Sequence, residues 1–142
     1  MKRRSTVFLV LLMLLGWVLS AQATDPVKRR LLLQVSEDNL DRMMVALNNA
    51  IHVKEHYGPE NVDVAIVVFN AGVQTLKYYA PIPLVNRWER AHDMGIDILV
   101  CEQSLRNAKL KPAEMLPNLS YVPGGVVEIM ERTADGWAYV RP

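Results

Sequence analysis

The sequence holds one cysteine, Cys101, in 142 residues, so no disulfide can form within the chain. Glycine-rich phosphate loops are missing as well. There is no G-x-G-x-x-G and no P-loop, and no nucleotide or other cofactor is expected. No sign of charge dominates, with 16 basic against 15 acidic residues, which leaves no electrostatic footprint for nucleic acid. Internal repeats and low-complexity tracts are absent too.

No apolar run near the amino terminus is long enough to span a membrane. Lys2-Arg3-Arg4 precedes an apolar stretch at residues 7–19, shorter than the roughly 20 residues a spanning helix needs. The small-residue pattern Ala21-Gln22-Ala23 follows, which makes residues 1–23 a predicted secretory signal peptide cleaved after Ala23. The spacing after Arg3-Arg4 fits a twin-arginine signal poorly, so general secretion is expected. No cysteine follows that could carry a lipid anchor, and no stable membrane insertion is expected after cleavage. Residues 24–142 then form one domain of 119 residues, with 13 basic and 15 acidic groups and a net charge of about −2. That length supports a single core. The basic run Lys28-Arg29-Arg30 reads as its solvated start, with a membrane-surface contact as the second reading. The expected location is the periplasm or the exterior of the cell.

Strand and helix patterns alternate along this domain. The apolar run at residues 31–35 ends in Ser36-Glu37-Asp38, and apolar residues then recur at Leu40, Met43, Met44, Leu47 and Ile51 with helical spacing. Asp38 is the expected cap, and Gly58-Pro59 the stop. A buried strand follows at residues 62–69, then a helical region broken by Pro81 and Pro83 that resumes over 84–94. A third strand spans 96–100, a short helix 101–108, a fourth strand 119–122, a helix 126–132 and a last strand 137–140. The strands are continuously apolar rather than alternating, as in a sheet covered on both faces. The expected fold is a doubly wound, mostly parallel, five-stranded α/β sheet in the flavodoxin-like order 2-1-3-4-5.

That order would put Cys101, after the third strand, beside the switch point and across one crevice from the Ser36 loop. A cysteine opening a helix meets unsatisfied amides and the positive dipole end, which favour the thiolate and make it a candidate nucleophile. Glu102 opposes the effect. On spacing alone, a second reading stands beside it, in which Cys101 is a small buried hydrophobe ending a strand. Gly124-Gly125 joins a strand to a helix and is a candidate anion cradle, or else a tight turn that lets helix and strand pack closely.

Other features carry less. The segment "HVKEH" places His52 and His56 in a zinc-peptidase-like pattern. On a helical wheel, however, both lie more than about 100° from the apolar stripe, so they are read as solvated and no metal site is expected. Tyr78, Tyr79 and Trp88 are either core or a binding or subunit surface. Asn118-Leu119-Ser120 matches a glycosylation acceptor, which has meaning only in a host that glycosylates.

Three segments resemble the DsrE/DsrF-like family, in its exported branch. They are "LNNA" at residues 47–50, "VC" at Val100-Cys101, and "VPGGVVEIMERTADGWAYVRP" at residues 122–142. The last is the most specific, pairing a P-[AG]-G-V-V-E-[IL]-M stretch with a G-W-A-Y ending. The resemblance implies an α/β fold and a homo-oligomer. In sulfur-relay members, a cysteine at the position of Cys101 takes up sulfur as a persulfide and passes it on, which implies a sulfur donor or acceptor protein as partner. Two functions follow as expectations: a sulfane-sulfur carrier acting through Cys101, with Ser36, Gly124 and Gly125 shaping the pocket, or a non-catalytic oligomeric binding module in which the cysteine is structural.

Overall fold

The computed structural model describes residues 28–142. The predicted signal peptide at 1–23 lies outside the described residues. Five strands, β1 (Arg29–Val35), β2 (Val62–Val68), β3 (Ile96–Cys101), β4 (Ser120–Val122) and β5 (Ala138–Val140), form one sheet in which every pairing is parallel. Between them run α1 (Leu40–Tyr57), α2 (Ile82–Asp93), α3 (Glu102–Asn107) and α4 (Gly125–Ala134).

Local chemistry sets the boundaries. The cap of α1 is Asn39 rather than the expected Asp38, its side chain accepting from the Arg42 amide at 3.1 Å. Gly58 ends α1 and Gly95 ends α2, at φ +85° and +69°, a region glycine enters without steric cost. The proline-broken region consists of a 3-10 helix at Asn70–Leu76 followed by α2, which Pro81 caps.

The strand order is β4-β3-β2-β1-β5, which corrects the expected 2-1-3-4-5. Each of the first three crossovers moves one strand in the same direction. A right-handed connection therefore puts α1, α2 and α3 on one face, where Leu33, Val35, Ile66, Val68, Ile98 and Val100 meet Met43, Leu47, Leu84, Trp88 and Leu105. The last crossover runs back across the sheet from β4 to β5, so the same handedness lays α4 on the other face, over Leu32, Ala65, Val67, Leu99 and Val122. Helices do cover both faces, as expected, but unequally. Each fully buried aliphatic side chain contributes about 1.5–3 kcal/mol, and the larger cluster lies under α1 and α2.

The order has one consequence for the site. β2 stands between β1 and β3, so Ser36, beyond the end of β1, and Cys101, at the end of β3, are two strand spacings apart, roughly 10 Å.

Candidate functional site

Cys101 is the last residue of β3 and the residue that caps α3. Alternation along the strand puts its side chain with Leu99 on the α4 face, where it is only 4% exposed. Because α4 runs from the carboxyl edge of the sheet, its first turn stands over this cysteine. Gly124 caps α4 and Gly125 opens it. A Cβ added to Gly125 would meet Phe69 Cβ at 2.7 Å, so the absence of a side chain there is what lets the helix start settle so low.

Two helix starts therefore meet at the edge where Cys101 lies. Burial is the largest single influence on the thiol, and it raises the pKa. The Ser104 hydroxyl, and then the amides of Ser104, Gly125 and Gln103, outweigh it together, holding Cys101 below the ordinary 9.0. The Cys101 side chain makes no cap hydrogen bond to α3, in keeping with the weak acceptor character of sulfur. The Glu102 carboxylate faces Arg106 at 3.8 Å and is not among the groups acting on the thiol.

Ser104 is held in turn. Its Oγ accepts from the Asn70 amide at 2.7 Å, and Asn70 sits at φ +51°, a left-handed conformation that asparagine tolerates better than most residues. Ser104 also lines a cavity of about 210 Å³, together with Asn70, Ala71, Asn107 and Ala108.

Of the residues expected to form the site, the structure brings Cys101 and Gly125 together. Gly124 serves as backbone cap, its carbonyl accepting from Glu128 at 3.0 Å, and its amide is not among the donors to the thiol. Ser36 is not part of the cluster. It accepts from Gln34 at 3.3 Å through its hydroxyl and from Gly72 at 3.2 Å through its carbonyl, on the far side of β2 from the cysteine. Sequence reasoning missed Ser104 and Asn70. The signal for Ser104 was its spacing, three residues after a helix-capping cysteine, where a first-turn side chain turns back toward the cap. No local signal marked Asn70, which reaches the site only through the pairing of β2 with β3.

The remaining candidates lie elsewhere. His52 and His56 are exposed in the last turns of α1, with ring centroids 6.5 Å apart. Among the described residues no group of three His, Cys, Asp or Glu side chains could hold a metal ion. Trp88 belongs to the core and stacks on His92 at 5.9 Å, whereas Tyr78 and Tyr79 are both 65% exposed. A cavity of about 430 Å³ lined by Arg29, Arg30, Val53, Tyr57 and Gly136, among others, opens at the amino ends of the strands, away from the thiol.

The family model of the DsrE/DsrF-like family matches residues 31–142. Among solved structures, a protein of unknown function from Methanobacterium thermoautotrophicum, MTH1491, is similar with a TM-score of 0.73. It is 24% identical, and the match covers 80% of this chain and 99% of that one. The ychN protein of E. coli is similar with a TM-score of 0.66 at 12% identity, over 82% of this chain and 100% of that one. BT1422 of Bacteroides thetaiotaomicron, a conserved protein of unknown function, gives 0.59 at 16% identity, over 83% and 100%. These likenesses show the fold. No curated protein matches the chain.

Proposed function

Since the chain belongs to the DsrE/DsrF-like family, which is linked to sulfur relay, we propose that it carries sulfane sulfur on Cys101. What supports this reading is the place of Cys101 at the end of β3, the start of α3 and the same sheet edge as the start of α4, where the Ser104 hydroxyl and the Ser104, Gly125 and Gln103 amides hold its pKa down in spite of burial. A thiolate is the nucleophilic form of cysteine. Cys101 thiolate attacks the outer sulfur of a persulfide R–S–SH; a new S–S bond forms, the old one breaks, and R–S⁻ leaves with the electron pair. The product, Cys101–S–SH, is discharged by the same step in reverse sense, as an acceptor thiolate takes the outer sulfur and Cys101 thiolate departs. No net oxidation occurs in either step.

The exported setting belongs to the same proposal and is supported by the basic, apolar and small-residue pattern of residues 1–23. Among the described residues no helix is long and apolar enough to cross a membrane. A homo-oligomer is supported by the exposed apolar side chains Tyr78, Tyr79 and Ile82 at one place and Val126, Val127 and Met130 on α4 at another. One observation favours the alternative, a non-catalytic oligomeric module in which Cys101 is packing: its low exposure.

The test is to treat the folded protein with a low-molecular-weight persulfide and then with a thiol acceptor, following intact mass. The carrier gains one sulfur atom at Cys101 and loses it to the acceptor, and C101A gains none. A native protein that takes up no sulfur would leave the module reading in place.

A further inference from the structure

At the sheet edge opposite Cys101, one strand is left without a helix over it. The crossovers from β1 to β4 carry α1, α2 and α3 across one face, and β5 joins the sheet on the far side of β1, beyond all three. Its residues Ala138, Tyr139 and Val140 are exposed. Leu31 pairs with Ala138, and alternation puts both side chains on the α1 face. Val53 and Tyr57, one turn apart on α1, line the same space. It is the cavity of about 430 Å³, within the range of about 300–1,000 Å³ typical of small-molecule sites.

The mouth of this recess is cationic. Lys28 is neutralised by Asp63 at 2.6 Å. The Arg29 guanidinium lies 4.7 Å from the centre of the Tyr57 ring, and a guanidinium held over a ring face keeps its N–H donors for a second partner. A Cβ added to Gly136, another lining residue, would stand 3.8 Å from Arg30 Nη2, so a second guanidinium reaches the same mouth. Among the described residues, neither Arg29 nor Arg30 pairs with a carboxylate. The nearby carboxyl end of α1 would repel an anion, but the carbonyls there have donors of their own. Asn61 donates to the Tyr57 carbonyl at 2.9 Å, and Lys54 to that of Pro59 at 3.1 Å.

We propose that this recess binds a small organic anion with an apolar body, its carboxylate or similar head on Arg29 and Arg30 and its body on Leu31, Val53, Tyr57 and Ala138. The site is separate from the thiol and does not depend on how Cys101 is used. Planar guanidinium donors match a two-oxygen head, and the side chains below them offer an apolar surface that a hydrated inorganic ion would not use. A lipid surface fits less well. Basic segments that hold to membranes carry about four to eight cations, and here Lys28 is already neutralised.

Decanoate, a free carboxylate with an apolar chain, is the probe, and backbone amide shifts of the folded protein are the readout. One saturable site is expected, with shifts at Leu31, Tyr57 and Ala138 and none at Cys101. Decyltrimethylammonium, a chain of like length with the opposite charge, should bind more weakly. R29Q should weaken decanoate binding by about tenfold, the low end for a hydrogen bond to a charged group because Arg29 is exposed. A138F, at an exposed position, should fill the recess and block binding with both arginines intact. Denaturant unfolding checks that each variant keeps the fold. No saturable binding by the native protein would overturn the proposal, as would R29Q or A138F binding like the native protein, or the ammonium binding as tightly as decanoate. Binding to vesicles of phosphatidylglycerol but not to decanoate would overturn it too, and make the basic run a membrane contact.

Discussion

A Cβ placed on Gly125 would stand 2.7 Å from Phe69 Cβ, so the first residue of α4 rests directly on the residue that follows β2. This contact sets the height of the helix above the sheet edge, and with it the approach of the Gly125 amide to Cys101. G125A is expected to lift the start of α4, costing about 1–3 kcal/mol as overpacking does. It should also move the Cys101 titration to higher pH. Denaturant unfolding and thiolate absorbance measure the two effects separately, and a destabilised variant with an unmoved titration would show that the glycine serves packing alone.

A second expectation concerns pH. Because Cys101 has a folded-state pKa below its ordinary 9.0, the unfolded chain holds the proton over a range where the native one has lost it. Stability gained from this group should therefore rise with pH from the folded-state pKa up to about 9 and be lost as pH falls through the folded value. The difference in unfolding free energy between native protein and C101A should grow over that window. A difference that is flat, or shrinks, would mean a sulfur that stays protonated.

The elements could be read from the sequence because their periodicities are strong. The continuous run "VDVAIVV" and the helical recurrence of Met43, Leu47 and Ile51 each admit one assignment, and all five strands and the main helices were legible. The strand order was not. A parallel strand carries no mark of its neighbour, and the flavodoxin-like order was taken by analogy. A clue was present in Arg30, Asp63 and Asp97, alternate residues that share a face with Leu32, Ala65 and Leu99. They leave the amino-terminal half of that face polar, so one short helix suffices to cover the rest. The wrong order then carried Ser36 into the site and concealed Asn70, since both placements depend on which strand lies beside β3.

Tyr78 and Tyr79, between the 3-10 helix and α2, and Trp88, within α2, divide by burial. W88A removes a side chain that is 4% exposed and should cost about 3–5 kcal/mol. Y79A should leave protomer stability within about 0.5 kcal/mol but weaken association if its exposed ring lies in a subunit contact. Chemical denaturation gives the first, and sedimentation across the micromolar range the second. A native protein that sediments as a monomer throughout would remove the oligomer from the proposed function.

His52 and His56 should be dispensable. Both are exposed on α1, so the double alanine variant is expected to keep the fold, with stability changed by no more than about 0.5 kcal/mol per site, and to keep any sulfur uptake. Zinc retained in stoichiometric amount by the native protein and lost in the variant would contradict this.

The central claim is that Cys101, although only 4% exposed, is a thiolate that reagents reach in the native fold. Its most direct test is the rate of Cys101 alkylation by a small reagent, measured against pH on the folded protein and on the same protein unfolded. The expected result is labelling of the folded protein with a midpoint below 9.0, the thiol's ordinary value, and faster than the unfolded chain at the acidic end of the range. Labelling that is slow at every pH and appears only on unfolding would make Cys101 a core residue and the carrier account wrong.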